Sequence, residues 1–575
     1  MDVDQALKAA NPLGRTQFLI FTASVLMNVE TGMVVLSHVF LAEVPPHYCS
    51  RNSTYLLNDS APTDGSNYAE CKEYVNPISS SETQTCTSGW VYDVEITGQS
   101  IVSEWDLVCD KDFLPGLSQS LLLTGFGLGS VIGGPLADTY GRRPTIIGAV
   151  VLFNVVGLAV SLAPSFAVFT TLRLLMGGIF KAVRIPLMNL MFEFLIPKYR
   201  PVMGLIPSLT GILGYVIMTG FGYFVRDWRY FHLLIMSPCV LLMPFSWFIP
   251  ESVRWIISQG DNGKAELGMQ KVAKCNKAVN FPNPALSTKR LMDTRHSDGL
   301  RRKPEDGEDD LVMADKPKCQ TGLQAVLQLF KQPVLTVTLV LCFDWIAGSL
   351  IFFGFSLSTG RFAGDPYLNF LLIAVVDAPS RVISIFLVKK LGTVKPLVFG
   401  FMGAGITLVV ITVLPYFTVK YDVDLFSIED EQRLGAILTS MAVLGKFSFG
   451  IAIPALHLLL GELFPTTMRN SGTAVVHLIG NIGSVSSPIL LYLDKFFNGL
   501  AFIIMAVFAF IAGLIILILP DTRNVVQPES PADLQILFEQ KRRFSFGRRK
   551  NTFGQNLTTD DKEVELKAFE KASHI

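Results

Sequence analysis

Residues 193–200 read Glu193-Phe-Leu-Ile-Pro-Lys-Tyr-Arg200, and 269 positions later the pattern returns as Glu462-Leu-Phe-Pro-Thr-Thr-Met-Arg469. Each stretch ends a long apolar run and sets a glutamate and an arginine seven apart. Pro250-Glu251-Ser252 returns as Pro520-Asp521-Thr522, 270 positions on. The string Gly134-Pro-Leu-Ala-Asp138-Thr-Tyr-Gly141-Arg142-Arg143 has a weaker echo 251 positions on, Val388-Lys389-Lys390-Leu391-Gly392. There the glycine and the bases stay and the acid is gone. Three matches in one order predict two parallel halves related by an axis along a membrane normal, a geometry suited to rocking about a central site.

The composition points the same way. Of 575 residues, 50% are apolar and only 17% are charged, and the mean hydropathy is +0.43. A soluble domain carries about 25% charged residues, so a single soluble globule does not fit. The apolar residues fall in blocks, and a helix needs about 20 of them to cross a bilayer core. Twelve blocks qualify: 17–41, 116–136, 145–164, 166–190, 202–224, 231–249, 333–357, 366–388, 396–415, 435–459, 472–493 and 498–520. The expected fold is an all-α membrane protein of twelve transmembrane helices in two six-helix halves, 17–249 and 333–520. A polar linker, 250–332, joins them, and 1–16 and 521–575 flank them. The first block is too long for a signal peptide and follows a polar stretch with Lys8 and Arg15, so it reads as a retained span. Acids and bases cancel to a formal net charge of zero, which gives no bulk signal for nucleic acid.

Basic residues orient the spans. Arg142 and Arg143, Lys198 and Arg200, Lys389, Lys390 and Lys395, and Arg469 follow even-numbered spans. The excess of positive charge on the inner side of membranes puts these links and both termini in the cytoplasm. The loop 43–115 after span 1 holds 12 acids against three bases and belongs outside. It carries Cys49, Cys71, Cys86 and Cys109, which predict two disulfides with three pairings open. It also carries two glycosylation sequons, at Asn52 and Asn58, which suit a plasma-membrane glycoprotein. Cys239, Cys275, Cys319 and Cys342 are expected as free thiols.

The string GPLADTYGRRP (134–144) resembles the loop signature of the major facilitator superfamily. Pro250-Glu251-Ser252-Val253-Arg254-Trp255 resembles the motif shared by sugar porters and organic ion transporters. The cysteine-bearing outer loop separates those branches. Together with Ser103-Glu-Trp-Asp-Leu-Val-Cys109 and Arg173-Leu-Leu-Met-Gly177, it resembles the organic cation/anion/zwitterion transporters, the family that includes carnitine transporters. The resemblance covers about residues 10 to 525. It implies the major facilitator fold and a small organic ion as substrate. It also implies a charge-sorting position in span 11, seven residues before a proline, acidic in cation carriers and arginine in anion- and carnitine-type carriers. Here the proline is Pro488 and the position is Asn481, which is neutral.

The repeated charges read as an inner gate: Asp138, Arg142, Arg143, Glu193, Arg200, Glu251, Arg254, Glu462, Arg469 and Asp521. The rival reading makes the bases simple headgroup anchors. In span 2, Gly125, Gly129 and Gly133 form one smooth face for close helix approach. Charges inside spans cost about 2.5–3.5 kcal/mol on insertion scales and so face a cavity or a partner. Lys181 and Arg184 share a helix face, and Asp377 and Arg381 are spaced to pair with one another. Trp345 and Phe352, seven apart, offer an aromatic face to a cation, and both match aromatic positions in the resembling cation carriers. The candidate substrate-binding set is Glu30, Lys181, Arg184, Asp344, Trp345, Phe352, Asp377, Arg381, Lys446 and Asn481. Arg173 and His38 sit toward the outer ends of their spans. Counting Arg173, five bases against three acids, beside an aromatic wall, suit a zwitterion, with a cation second. An organic anion or a sugar-type cargo is the alternative.

Protease, nucleophile-elbow, dinucleotide and ATP-binding patterns are missing, so neither enzyme chemistry nor a cofactor or metal is expected. The expected activity is secondary transport driven by the substrate gradient, the membrane potential or a co-ion, with Na+ and H+ as candidates. A receptor of transporter shape is the rival class. Lys541-Arg542-Arg543 and Arg548-Arg549-Lys550 suit anionic lipid. The terminal Ala572-Ser573-His574-Ile575 fits the pattern read by PDZ domains.

Overall fold

The computed structural model describes residues 3–50, the pieces 63–64, 67–68, 71–76, 79–87 and 89–94, and then 98–278, 328–420, 428–523 and 528–550 with gaps of one or two residues. Eleven helices are long and apolar enough to cross a membrane. The helix Arg200–Phe224, with its apolar stretch Leu209–Phe224, completes the twelve. The chain is a multi-pass membrane protein. Many large apolar side chains on the outer surface are exposed, among them Leu128, Val131, Ile132, Phe224 and Phe248, and this is the surface that lipid covers.

The helices run past several expected ends. Span 2 is Phe113–Tyr140, span 4 is Phe166–Phe194, and span 10 begins at Ile428. Two spans are broken. Span 6 is Trp228–Ile235 and then Ser237–Phe248. Span 8 is Pro366–Val375 and then Asp377–Leu391. Pro238 and Pro379 lie just after the two breaks. Proline has no N–H to continue the ladder and its ring clashes with the preceding turn.

The packing repeats between halves. Spans 2–4, 3–4, 1–5, 1–6, 3–6 and 1–4 pack together, and so do 8–10, 9–10, 7–11, 7–12, 9–12 and 7–10. Adding six to each number converts the first set into the second. The halves meet at spans 2–11 and 5–8, a pair of contacts that obeys the same rule. There are two buried apolar cores, one in each half, and the first also takes in Phe353, Phe370 and Ala374 of spans 7 and 8.

The glycine stripe of span 2 lies against span 4. A Cβ on Gly129 would sit 2.7 Å from Gly178 Cα, and one on Gly133 would sit 2.9 Å from Ala182 Cα. A Cβ on Gly125 would run into the Leu174 carbonyl oxygen. Spans 7 and 11 use the same device, where Gly483 lies against the Ile346 backbone.

The outer loop departs from an all-α reading. It holds three antiparallel two-stranded pieces, of which His47–Cys49 with Trp90–Tyr92 anchors the loop to the end of span 1. The pairing left open by the sequence is Cys49–Cys86 and Cys71–Cys109, with Cα–Cα distances of 5.2 and 5.8 Å. The latter pair, beside His47, is the one described group of His, Cys, Asp or Glu side chains near enough to hold a metal ion, and its sulfurs are already bonded. Cys239, Cys275 and Cys342 are free thiols. Cys319, Asn52 and Asn58 lie outside the described residues. The pairing makes a prediction: Cys49→Ser and Cys86→Ser should lower thermal stability equally, by about 2–4 kcal/mol, and the double variant should add nothing. Additive losses in a melting experiment would mean other partners.

Both terminal segments lie at the end of the bundle opposite this loop, called here the terminal face. Asp4 pairs with Arg254 at 2.5 Å. Asn276 accepts from the Thr16 amide at 2.9 Å and donates to the Ala10 carbonyl at 2.8 Å and to Gln17 Oε1 at 2.9 Å, so the linker clamps the chain where it enters span 1. The helix Pro531–Lys550 buries Leu534 in the second core, and Lys541 donates to the Leu519 carbonyl at 2.6 Å.

Candidate functional site

At the terminal face, the repeated motifs build two matching caps. Gly141, at φ +103°, turns the chain from span 2 into span 3, a conformation that glycine adopts without steric cost. Glu251 then accepts from the backbone amides of Arg142 (2.9 Å) and Arg143 (3.2 Å) at the start of span 3. In the second half, Gly392 turns at φ +87° and Asp521 accepts from the Thr393 amide at 3.0 Å. A carboxylate at a helix N-terminus satisfies orphan amides and complements the helix dipole. This physical demand explains why the acid recurs after spans 6 and 12.

Arg142 gathers the rest of the first cap. Its guanidinium pairs with Asp138 at 2.8 Å and Glu193 at 3.3 Å. Arg143 donates to the Trp247 carbonyl at 2.9 Å, and Arg254 to the Glu193 carbonyl at 3.2 Å. In the second half, Glu462 hydrogen-bonds Thr522 and lies in the field of Arg469. The side chain of Arg200 lies outside the described residues. All these described contacts join helices within one half.

The contacts between halves lie at the loop face and the membrane middle. Phe40 stacks on Tyr367 (centroids 5.1 Å apart) and meets Phe370 edge-on. The Tyr367 hydroxyl donates to Glu43 at 3.2 Å, and the Arg226 guanidinium lies 5.4 Å from the Tyr367 ring. Burial outweighs these stabilising partners and raises the Glu43 carboxyl above its ordinary pKa. On the other side Asp112 pairs with Lys495. Ser120 then donates to the Val485 carbonyl at 2.8 Å, and the Asn481 amide to the Leu123 carbonyl at 2.7 Å. Among the described residues, these contacts between halves seal the loop face.

Below the seal, partly exposed charged and aromatic side chains of both halves face one another, and the space they border is called here the central cleft. Lys181 and Arg184 of span 4 are partly exposed in it, and Lys181 lies over the Phe126 ring at 5.4 Å. From span 8, Arg381 pairs with the buried Asp377 at 3.6 Å. Tyr215 of span 5 lies in the field of Arg184, Asp377 and Arg381. From the second half come Trp345, Phe352 and Asn481, all partly exposed.

Three candidates, and Arg173 beside them, are placed elsewhere or already engaged. Glu30 is fully buried and accepts from the Cys239 amide at 3.1 Å, at the broken point of span 6. Asp344 is fully buried and neither carboxylate oxygen has a hydrogen-bond partner among the described residues. Its neighbour one turn on, Gly348, packs on Phe449 and Leu456 of span 10. Lys446 crosses to span 7, where it donates to Ser356 at 2.7 Å and the Phe352 carbonyl at 3.2 Å, 3.6 Å from the Phe352 centroid. Arg173 is buried and donates to Gln119 at 2.9 Å.

Two cleft residues were not singled out from the sequence. His457 of span 10 and His477 of span 11 flank Trp345, with centroids 4.8 and 4.3 Å from its ring. A signal existed: His477 stands four residues before Asn481, so both share one helix face.

Twelve helices in two matching halves, sealed at one face around a charged and aromatic cleft, define a transporter of the alternating-access type. Residues 65–526 match the sugar (and other) transporter family, and the chain belongs to it. It is 30% identical over 495 residues to an organic cation transporter protein of Drosophila melanogaster, covering 85% of this chain and 84% of that one. It is 27% identical to human solute carrier family 22 member 13, covering 92% and 93%. Among solved structures, the inward-open xylose transporter XylE of E. coli superposes with a TM-score of 0.56 at 16% identity, covering 91% of this chain and 98% of that one.

Proposed function

We propose that the chain carries small organic ions across the plasma membrane, with a zwitterion bearing a carboxylate and an ammonium group as its preferred cargo. The observation that carries this reading is the mixed-charge wall of the cleft. Lys181, Arg184 and Arg381 exceed the single acid Asp377 there, beside the ring of Trp345. The bases hold the carboxylate, and Trp345 and Phe352 take the cationic end. An aromatic face contributes about 0.5–2 kcal/mol to such an end. A simple cation is the second reading, favoured by the names of the Drosophila relatives.

Transport on this reading proceeds by exchange of seals. The cleft now opens toward the terminal face, which is cytoplasmic together with both termini. Opening outward requires Tyr367 to leave Phe40 and Glu43, and Lys495 to leave Asp112. The two terminal-face caps, with Glu193, Arg200, Glu462 and Arg469, then close on each other. The outer loop carries glycans at Asn52 and Asn58. The basic tail meets anionic lipid, and the last residues are offered to a PDZ domain.

The test is uptake of tetraethylammonium, carnitine and hippurate by wild type, Asn481→Asp and Asn481→Arg. Asn481 sits on the seam, its amide on the Leu123 carbonyl, so a charge placed there acts on the cargo directly. The aspartate should shift preference toward the cation, and the arginine toward the carboxylate-bearing probes. A shift of about tenfold corresponds to ~1.4 kcal/mol. Identical selectivity in all three proteins would remove Asn481 from the site. Failure of wild type to move any of the probes would overturn the organic-ion reading.

A further inference from the structure

We propose that His457 and His477, placed around Trp345 at the cleft, form a proton site whose proton travels with the organic cargo. This deepens the reading above and rests on its carboxylate-bearing cargo.

The tautomer of His457 follows from its partner. Nδ1 lies 2.9 Å from the Ile453 carbonyl oxygen. A carbonyl only accepts, so Nδ1 carries the hydrogen and Nε2 keeps an open lone pair. The His457 side chain keeps exposed surface although span 10 packs against spans 7, 8 and 9. His477 is half-buried, with its centroid 6.3 Å from that of His457.

The groups facing this pair are cationic or neutral. Span 4 brings Lys181 and Arg184, span 8 brings Arg381, and span 7 brings the Trp345 ring. The nearby acid, Asp377, is spent on Arg381. No described carboxylate therefore makes either imidazole a structural ion pair. By contrast, His38 and His232 lie buried near Arg173 in the first half.

Two consequences follow from charge alone. A carboxylate settling among Lys181, Arg184 and Arg381 offsets their field at the imidazoles and so favours proton uptake. The added proton tightens the carboxylate by the same factor, since coupling between two sites is reciprocal. The histidines also belong to the second half, whereas Lys181 and Arg184 belong to the first. Rocking of the halves changes the distance between them, so the proton's affinity differs between the two open states. A coupling ion must have this differential affinity to shift a conformational equilibrium. In the step itself, Nε2 accepts a proton from water at one face, cargo and proton cross together, and Nε2 returns the proton to water at the other face.

The experiment uses the full chain in proteoliposomes, clamped at zero membrane potential, with labelled carnitine as probe. An acidic exterior one pH unit below the interior should concentrate carnitine up to about tenfold, which is the ~1.4 kcal/mol stored in one proton per unit. In His457→Gln/His477→Gln the accumulation should fall toward onefold, whatever the remaining exchange rate. A second readout needs no cargo. The emission difference between wild type and Trp345→Phe should change with pH, since a charged imidazole beside the indole alters its surroundings, and should be flat on the double-glutamine background. Carnitine exchange without any pH-driven accumulation would overturn the coupling and leave the organic-ion reading standing. Accumulation that persists in the double variant would place the proton elsewhere. If wild type exchanges no carnitine, the zwitterion reading fails, and a flat emission titration would then overturn the proton site as well.

Discussion

Arg381→Gln sharply lowers the yield of folded protein, and adding Asp377→Asn brings most of it back. This result is expected because Asp377 is fully buried and pairs with the Arg381 guanidinium at 3.6 Å. Breaking a buried pair strands the other charge, which costs about 3–5 kcal/mol, whereas neutralising both members costs little. Lys446 also lies in the field of Asp377, and its ammonium is already committed to Ser356 and the Phe352 carbonyl. Fluorescence-detected size exclusion and melting of the single and double variants measure the effect. A single variant as stable as wild type would mean that the Asp377–Arg381 pair does not hold the fold. The double variant separates fold from function: it should fold, yet lose preference for carboxylate-bearing probes, because one of three cleft cations is gone.

Gly129→Ala should be nearly as damaging, although it adds one methyl group. The new Cβ would lie 2.7 and 2.8 Å from the Cα and carbonyl carbon of Gly178, and closer still to its oxygen. These are backbone atoms of span 4 and cannot rotate away, so the two helices must part along their whole contact. Overpacking of this kind costs about 1–3 kcal/mol or more. The contact is also the one that the glycine stripe serves, because helices in lipid associate through close packing rather than hydrophobic exclusion. Gly134→Ala, five residues along the same helix, meets nothing within 4 Å and should melt as wild type does. Equal melting of the two variants would mean that spans 2 and 4 do not touch at Gly129.

Reading the sequence reached the fold because a bilayer leaves few options. Twelve apolar blocks must be helices, since an unpaired backbone amide in hydrocarbon costs several kcal/mol. Two sets of six with matching punctuation must pack alike. The glycine stripe was equally legible, because spacing of four along one helix has a single geometric meaning. Lys181 with Arg184 and Asp377 with Arg381 were legible as pairs for the same reason: each pair lies on one helix, where separation in sequence fixes separation in space.

Partners on different helices were not legible. Glu193 and Arg200 share a motif, yet Glu193 meets Arg142 of span 3. Glu30 and Asp344 are acids inside spans, as the hydropathy pattern predicts, yet the rotation of their helices turns them into packed interiors. His457 and His477 are 20 residues apart in sequence and adjacent in space because spans 7, 10 and 11 converge on Trp345.

The sequence by itself determined the number of spans, their division into two halves and the supply of charges for the cleft. Those properties are set by hydropathy, charge and local spacing, all of which are written along the chain. The tertiary structure alone decided that Cys49 joins Cys86, which charges face the cleft, which of them are already spent on one another, and that the seal lies at the loop face. Those choices depend on how each helix turns about its axis. Packing against neighbours sets that turn, so it is a property of all twelve helices together and of none alone.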